Sequence, residues 1–492
     1  MHRSQNALLS KPVFVFLLPI FFVWHGYVQN YPLVLVSDAL KLVLEYIAVT
    51  IILVILSYFI FKSWSKALAF AFFLMCVQFF FGAAHDFLKN LFSNSFISKY
   101  SFLLPLVVII CVAAFFFFLK TNRKFKRTTQ YLSLTLGILI TVDLAIFISR
   151  LISRSETNKP VVEVAGCGDC KKPNIYLIIA DEYAGQKELN DIFSFDNSAF
   201  QAELEKRDFH VVKKAMSNYN YTPYSMASIF NMNYLKGITN KANDIDNRNA
   251  SYEKINKNAL VSTLHAFGYD FVNLSLFDFA DKPGLNFNEF YSIREKLISS
   301  QTLTGRIKKD LWYHFVTTFK FRWAQHDWQN KLTTLIEKAY NGTVAVAQEN
   351  AGQPRFVYTH FTMPHYPYLY DKNGRQLSFE ESQHAERKDL YLGFLQYCNQ
   401  KCLALIDEIL KHDKTGPIVI FMSDHGFTKY DAATTNPSYN FDNIINVYFP
   451  DKNYSEFPDT VSNVNLFRFI LNKQFKQQLP FLRDSTIFLK EY

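Results

Sequence analysis

The sequence predicts an α-helical membrane domain of about five spans, followed by an α/β domain with a mainly parallel central sheet. Three observations predict it. Residues 12–152 are dominated by Phe, Leu, Ile and Val, in runs that approach the ~20 residues needed to cross a bilayer, whereas 160–492 is a mixed, charged chain. The later part carries continuous apolar runs separated by helical patterns, as buried strands of a parallel sheet do. Three of those runs are followed closely by Asp, Glu or His.

At about 100 to 200 residues per domain, a chain of this length holds a few units. No long polar tract or sustained heptad occurs, which excludes disorder and coiled coil. The net charge of +9 would suit nucleic acid, but its location decides otherwise.

The apolar runs lie near 12–28, 42–61, 67–84, 102–119 and 131–152. The first passes into Trp24, His25, Gly26 and Tyr27 with no small-x-small cleavage site, so it is read as a span and not a removed signal. Arg3, Lys11, Lys62, Lys66, Lys120, Arg123, Lys124, Lys126 and Arg127 fall on one side of the spans. On the other side, 29–40 has no basic residue and 85–101 only Lys89 and Lys99. Basic loops stay cytoplasmic, so five crossings are expected to leave 153–492 outside. The 120–127 cluster is then a topology signal, and no nucleic-acid partner is expected. Asp143, inside the last span, is either a functional carboxylate or a neutral, hydrogen-bonded one. Lys41 and Glu45 are spaced for a local helical pair.

Residues 153–172 read as a polar linker and 173–492 as the outer domain. Cys167 and Cys170 form Cys-Gly-Asp-Cys with no second such motif, so a disulfide is expected, either local or to Cys398 and Cys402. Strands are expected at 173–180, 355–361 and 417–423, with weaker ones at 209–213, 269–275 and 445–449. Helical patterns cover 196–207, 256–267 and 387–411.

Asp181 with Glu182, His365, and Asp424 with His425 follow the ends of the stronger strands. Open α/β sheets place ligand sites there. Carboxylate oxygen with imidazole nitrogen suits zinc or manganese. The hydroxyl-rich segment 217–228 supplies a candidate nucleophile in Thr222 or Ser225, although either would also serve as a helix cap.

Asn174 to Asp181 and Ser423-Asp424-His425-Gly426, bracketing that hydroxyl segment, resemble the alkaline phosphatase–sulfatase superfamily. With the preceding spans, nearly the whole chain resembles the membrane-anchored sulfatase-like proteins, among them lipoteichoic acid synthases and lipid A phosphoethanolamine transferases. Ser217 to Met232 and Thr362 to Pro367 are also similar to segments of such proteins. The resemblance implies that Asp181, Asp424 and His425 hold the metal and that Thr222 is the nucleophile, its oxygen completing the site. It implies that His365 lies on the substrate side, and it leaves open whether Glu182, where sulfatases have a second aspartate, reaches the metal.

Two departures sharpen this. Sulfatases convert a Cys or Ser to formylglycine, whereas here the position is Thr222, proline comes one place early, and Met226 replaces the arginine. No histidine follows His425, which implies a single divalent ion. The implied activity is transfer of a phospholipid headgroup to a glycolipid or envelope glycan through a phospho-threonine. The implied location is the cytoplasmic (inner) membrane of a bacterium, with the catalytic domain outside. The alternatives are a phosphodiesterase or sulfuric ester hydrolase, and a catalytically silent membrane-anchored binding protein.

Overall fold

The structure, a computed structural model, describes residues 13–31, 33–92, 95–123, 125–157, 167–280, 282–285, 295–428 and 436–491. The chain forms two compact units, Met1–Lys159 with Asn288–Phe321, and Pro160–Phe287 with Arg322–Tyr492.

The first unit is built on helices α1 (Phe14–Gln29), α2 (Val36–Phe61), α3 (Trp64–Leu91), α4 (Tyr100–Lys120) and α5 (Lys126–Thr157). Of these, α2 to α5 are four helices long and apolar enough to cross a membrane. This corrects the expected five spans. α1 has 16 described residues, about 24 Å of helix against the ~30 Å of a hydrocarbon core. The runs read at 67–84 and 102–119 become helices of 28 and 21 residues, because polar end residues such as His85, Asp86 and Lys89 continue the helix.

Lys66 Nζ donates to the Leu119 carbonyl at 3.3 Å, so the basic α2–α3 and α4–α5 turns share one end of the bundle. Asp143, 3% exposed, has both carboxylate oxygens 3.1 Å from His25 Nδ1. His25 is thus its hydrogen-bonding partner in the bundle.

The expected continuous domain 173–492 is interrupted. Helical turns at Glu295–Ser299, Leu303–Arg306, Ile307–Leu311 and Trp312–Thr317 belong to the first unit. The reason is close packing on α3. Gly82 N donates to the Gln301 carbonyl at 2.9 Å, and a Cβ on Gly82 would stand 2.3 Å from that oxygen. Arg306 Nη2 then reaches Asp86 Oδ2 at 2.5 Å.

The second unit carries a sheet ordered β2-β8-β6-β1-β5-β4, from β1 (Ile175–Asp181), β2 (His210–Val211), β4 (Asp270–Leu274), β5 (Arg355–Pro364), β6 (Ile418–Ser423) and β8 (Ile445–Tyr448). The run β6-β1-β5-β4 is parallel, and β8 is antiparallel to both β6 and β2. A second sheet orders β7 (Asp442–Asn443), β3 (Lys214–Met216) and β9 (Thr460–Ser462). β1 shows why the strands read as unbroken apolar runs. Ile175, Leu177 and Ile179 enter one core and Tyr176, Ile178 and Ala180 the other, all fully buried. Burying each large side chain contributes roughly 1.5–3 kcal/mol.

Asn174 ties the N-terminal ends of the central strands together. Its Oδ1 accepts from Arg355 N at 2.7 Å, its carbonyl from Ile418 N at 2.8 Å, and its Nδ2 donates to Asp413 Oδ2 at 2.7 Å. Tyr176 donates to the same Asp413 oxygen at 2.7 Å.

Cys167 and Cys170 form a local disulfide, their Cα atoms 5.6 Å apart, while Cys76, Cys111, Cys398 and Cys402 are free thiols. Of the two pairings left open in the sequence, the structure has the local one. Denatured without reductant, the chain should take up four thiol labels, and six after reduction, as counted by intact mass.

Candidate active site

The register of β1 with β6 builds the site. Ala180 pairs with Ser423, so the next residues, Asp181 and Asp424, emerge side by side at the C-terminal edge. Glu182 has φ 59°, a left-handed conformation that costs a non-glycine residue about 1–2 kcal/mol. It turns the chain so that Glu182 N donates to Asp424 Oδ1 at 3.0 Å and Tyr183 N to Ser423 Oγ at 3.1 Å. Ser423 Oγ donates in turn to the His425 carbonyl at 2.6 Å.

Asp181, Asp424 and His425 each offer a ligand atom within 4.8 Å of the others. His425 Nδ1 donates to the Gly426 carbonyl at 2.7 Å, which leaves Nε2 as the acceptor facing the site. Asp424 Oδ2 is buried with no hydrogen-bond partner among the described residues, 3.4 Å from His425 Nε2. An orphaned carboxylate oxygen beside a second carboxylate and an imidazole acceptor fits a divalent metal ion.

The electrostatics agree. Burial pushes the Asp424 carboxyl up; His425 opposes this and Asp181 adds to it. Burial also acts on Asp181, but His365, His360 and His425 outweigh it and hold that carboxyl well below the usual range. His425 is lowered by burial and raised by more, through Asp424, Asp181 and Glu182.

Thr222 opens the helix Thr222–Asn231, whose N-cap is Tyr221. Its hydroxyl is therefore not spent as the cap. Thr222 Oγ1 lies 3.2 Å from His425 Nε2 and 3.3 Å from Asp181 Oδ1. The helix N-terminus favours negative charge at that oxygen. Ser225, the rival hydroxyl, is 1% exposed and donates to the Asp424 carbonyl at 2.6 Å. It supports the Asp424 loop.

Glu182 stands beside the trio and not in it. Its Oε1 accepts from Thr428 N at 3.1 Å and from the Thr428 hydroxyl, and its Oε2 is 3.6 Å from His365 Nε2. His365 follows β5 with its side chain 32% exposed, at the open side of this group. One neighbour was missed in the sequence. His360 Nε2 is 3.8 Å from Asp181 Oδ2, and its Nδ1 shares a 2.6 Å hydrogen bond with Tyr358 OH. The signal was present: a histidine within the apolar run of β5.

Residues 173–471 match the family model described as Sulfatase, which covers more than half of the chain. The chain belongs to the sulfatase family. It is an enzyme of that family. Among solved structures it is similar to the C-terminal periplasmic domain of EcEptC from Escherichia coli, at TM-score 0.40 and 11% identity over 66% of this chain and 92% of that one. The C-terminal periplasmic domain of the phosphoethanolamine transferase EptC from Campylobacter jejuni matches at TM-score 0.38 and 13% identity, covering 66% and 98%. The phosphonate monoester hydrolase of Agrobacterium radiobacter matches at TM-score 0.37 and 15% identity, covering 65% and 77%. Likenesses this distant carry no information about chemistry. No curated protein matches the chain.

Gly426, next to His425, lies in close contact with the backbone of the 439–442 segment. A Cβ on Gly426 would stand 2.2 Å from the Tyr439 carbonyl oxygen and 2.6 Å from that of Asp442, both backbone atoms. Gly426→Ala should lower stability by about 1–3 kcal/mol in thermal unfolding. It should also reduce turnover, because His425 and Asp424 move with Gly426.

Proposed function

We propose that this enzyme transfers a phosphoryl headgroup from a membrane phospholipid to a glycolipid or envelope glycan through a phospho-threonine at Thr222. One observation carries the reading: the Thr222 hydroxyl points into the Asp181–Asp424–His425 group from a helix N-terminus. Threonine cannot become the formylglycine of sulfatases, so the nucleophile is the hydroxyl itself. A divalent ion, zinc or manganese, held by Asp181, Asp424 and His425, would lower the hydroxyl pKa and polarise a phosphoryl oxygen.

The chain's own residues divide the remaining work. Asp181 Oδ1 is 3.3 Å from Thr222 Oγ1 and accepts its hydrogen bond as the nucleophile forms. The Thr222 hydroxyl releases its proton to solvent and its oxygen bonds to phosphorus while the bond to the diacylglycerol oxygen breaks. His365 Nε2, at the open side, gives that leaving oxygen a proton. An acceptor hydroxyl then returns the proton to His365 and bonds to phosphorus as the Thr222–phosphorus bond breaks, and the Thr222 oxygen takes a proton back from solvent. Water in place of the acceptor makes the same site a hydrolase. Product analysis with a headgroup-labelled phospholipid separates the outcomes: label on a glycan or glycolipid supports transfer, and label only in soluble phosphate ester supports hydrolysis.

Thr222→Ala should abolish turnover yet leave folding nearly intact, since one hydroxyl contributes at most about 1 kcal/mol. Ser225→Ala should lose a hydrogen bond worth roughly 0.5–1.5 kcal/mol and keep activity. Mass spectrometry of the trapped enzyme should find the phosphoryl adduct on Thr222. An active Thr222→Ala enzyme, or an adduct on Ser225, would show that the nucleophile is misassigned.

The catalytic unit is proposed to lie outside the cytoplasmic membrane of a bacterium. The basic α2–α3 and α4–α5 turns share one end, and α5 leaves the bundle from the other. This holds whether or not α1 crosses, because α2 to α5 alone set the exit side. A reporter active only outside the cytoplasm, fused after Tyr492, should be active; an expressed but inactive fusion contradicts the topology.

A further inference from the structure

We infer that residues 307–321 form an in-plane membrane anchor that gathers anionic phospholipid headgroups at the end of the helical bundle remote from the basic turns. Two helices act as rulers of depth. α4 runs 21 residues from Lys120, at the basic end, to Tyr100, about 31 Å at 1.5 Å per residue. That is one hydrocarbon thickness, so Tyr100 marks the far edge of the apolar layer. Its hydroxyl donates to the Asp310 carboxylate. On α3, Asp86 lies about 33 Å along the helix from Trp64, and it pairs with Arg306 at 2.5 Å. Both rulers set the stretch that begins at Arg306 at headgroup depth.

Its two faces differ. Val316 is 4% exposed, while Tyr313, Phe319 and Phe321 are 65%, 58% and 42% exposed. Lys308, Lys309 and Lys320 are exposed among these aromatics. Asp310 is the only acidic residue of 307–321, and Tyr100 occupies it. The stretch is too short and too cationic to cross a bilayer. Exposed aromatic rings interleaved with lysines are what the boundary of an anionic leaflet favours: rings sit among the upper acyl carbons and ammonium groups meet phosphates. Phe87, Leu91, Phe92 and Phe96, at the same end of the bundle, are also exposed. A bilayer of anionic phospholipid is therefore the occupant that matches both the depth and the charge.

The test uses the full chain in nanodiscs of equal parts phosphatidylcholine and phosphatidylglycerol and makes no use of activity. A benzophenone amino acid is placed singly at Tyr313, Phe319 and, as positive control, the mid-helix position Phe80. Irradiation should give lipid adducts at all three. At Tyr313 and Phe319 the adducts should be enriched several-fold in phosphatidylglycerol, and Lys308→Gln with Lys309→Gln should remove that enrichment. Lipid adducts at Phe80 alone would overturn the anchor. So would adducts to protein at Tyr313 and Phe319, which would mark a protein-docking face. Adducts at both positions with no lipid preference, or with a preference that survives the lysine changes, would overturn the headgroup assignment.

Discussion

Two carboxylates leave adjacent parallel strands side by side, and much of the catalytic unit serves to make that tolerable. The pairing of Ala180 with Ser423 forces Asp181 and Asp424 together at a buried sheet edge. Buried like charges are costly unless something positive faces them. The N-terminus of the helix Thr222–Asn231 points in with its backbone dipole, and His360 lies 3.8 Å from Asp181. Even so, Asp424 Oδ2 has no hydrogen-bond partner among the described residues, and its carboxyl is pushed up, first by burial. A divalent cation resolves this most directly. The left-handed Glu182 is a cost of the same constraint, because the chain must turn sharply after Asp181 for its amides to reach Asp424 and Ser423.

The same constraint explains what was legible in the sequence. Strands buried on both faces cannot alternate, so β1, β5 and β6 stood out as apolar runs, and the polar residues after them stood out by contrast. Asp181, Asp424 and His425 were therefore readable before any coordinates. Thr222 was readable only as one of two hydroxyls. A cap and the proposed nucleophile look alike in sequence, and what separates the two hydroxyls is tertiary: Tyr221 takes the cap position, and Ser225 donates to the Asp424 carbonyl.

Other features depend on contacts distant in sequence. His360 stood out as a histidine within an apolar run, but its facing Asp181 is set by the pairing of β5 with β1. The turns at 295–317 follow a strand and precede a 27-residue helix, so they read as part of the outer domain. Their membership of the helical unit rests on Gly82 and Asp86, more than two hundred residues earlier. The first apolar run shows a third limit. Composition reports hydropathy, whereas spanning depends on how many residues are helical, and α1 is short on that count.

Placement of the Thr222 oxygen is set before any substrate arrives. The loop leading to it contains Asn218 and Asn220, both almost wholly buried. Buried amides need partners, and the C-terminal segment supplies them. Asn220 exchanges two hydrogen bonds with the Leu489 backbone, at 3.0 and 2.8 Å, and Asn218 Nδ2 donates to the Ser485 carbonyl at 2.9 Å. Ile487 N donates back to the Asn218 carbonyl at 2.9 Å. Each bond contributes only roughly 0.5–1.5 kcal/mol to stability, but together they leave the loop few conformations. Three residues beyond Thr222, Ser225 fastens the helix to the Asp424 loop. The hydroxyl is thus held from both sides on elements that also carry its partners. Such fixed geometry converts an encounter into an oriented approach.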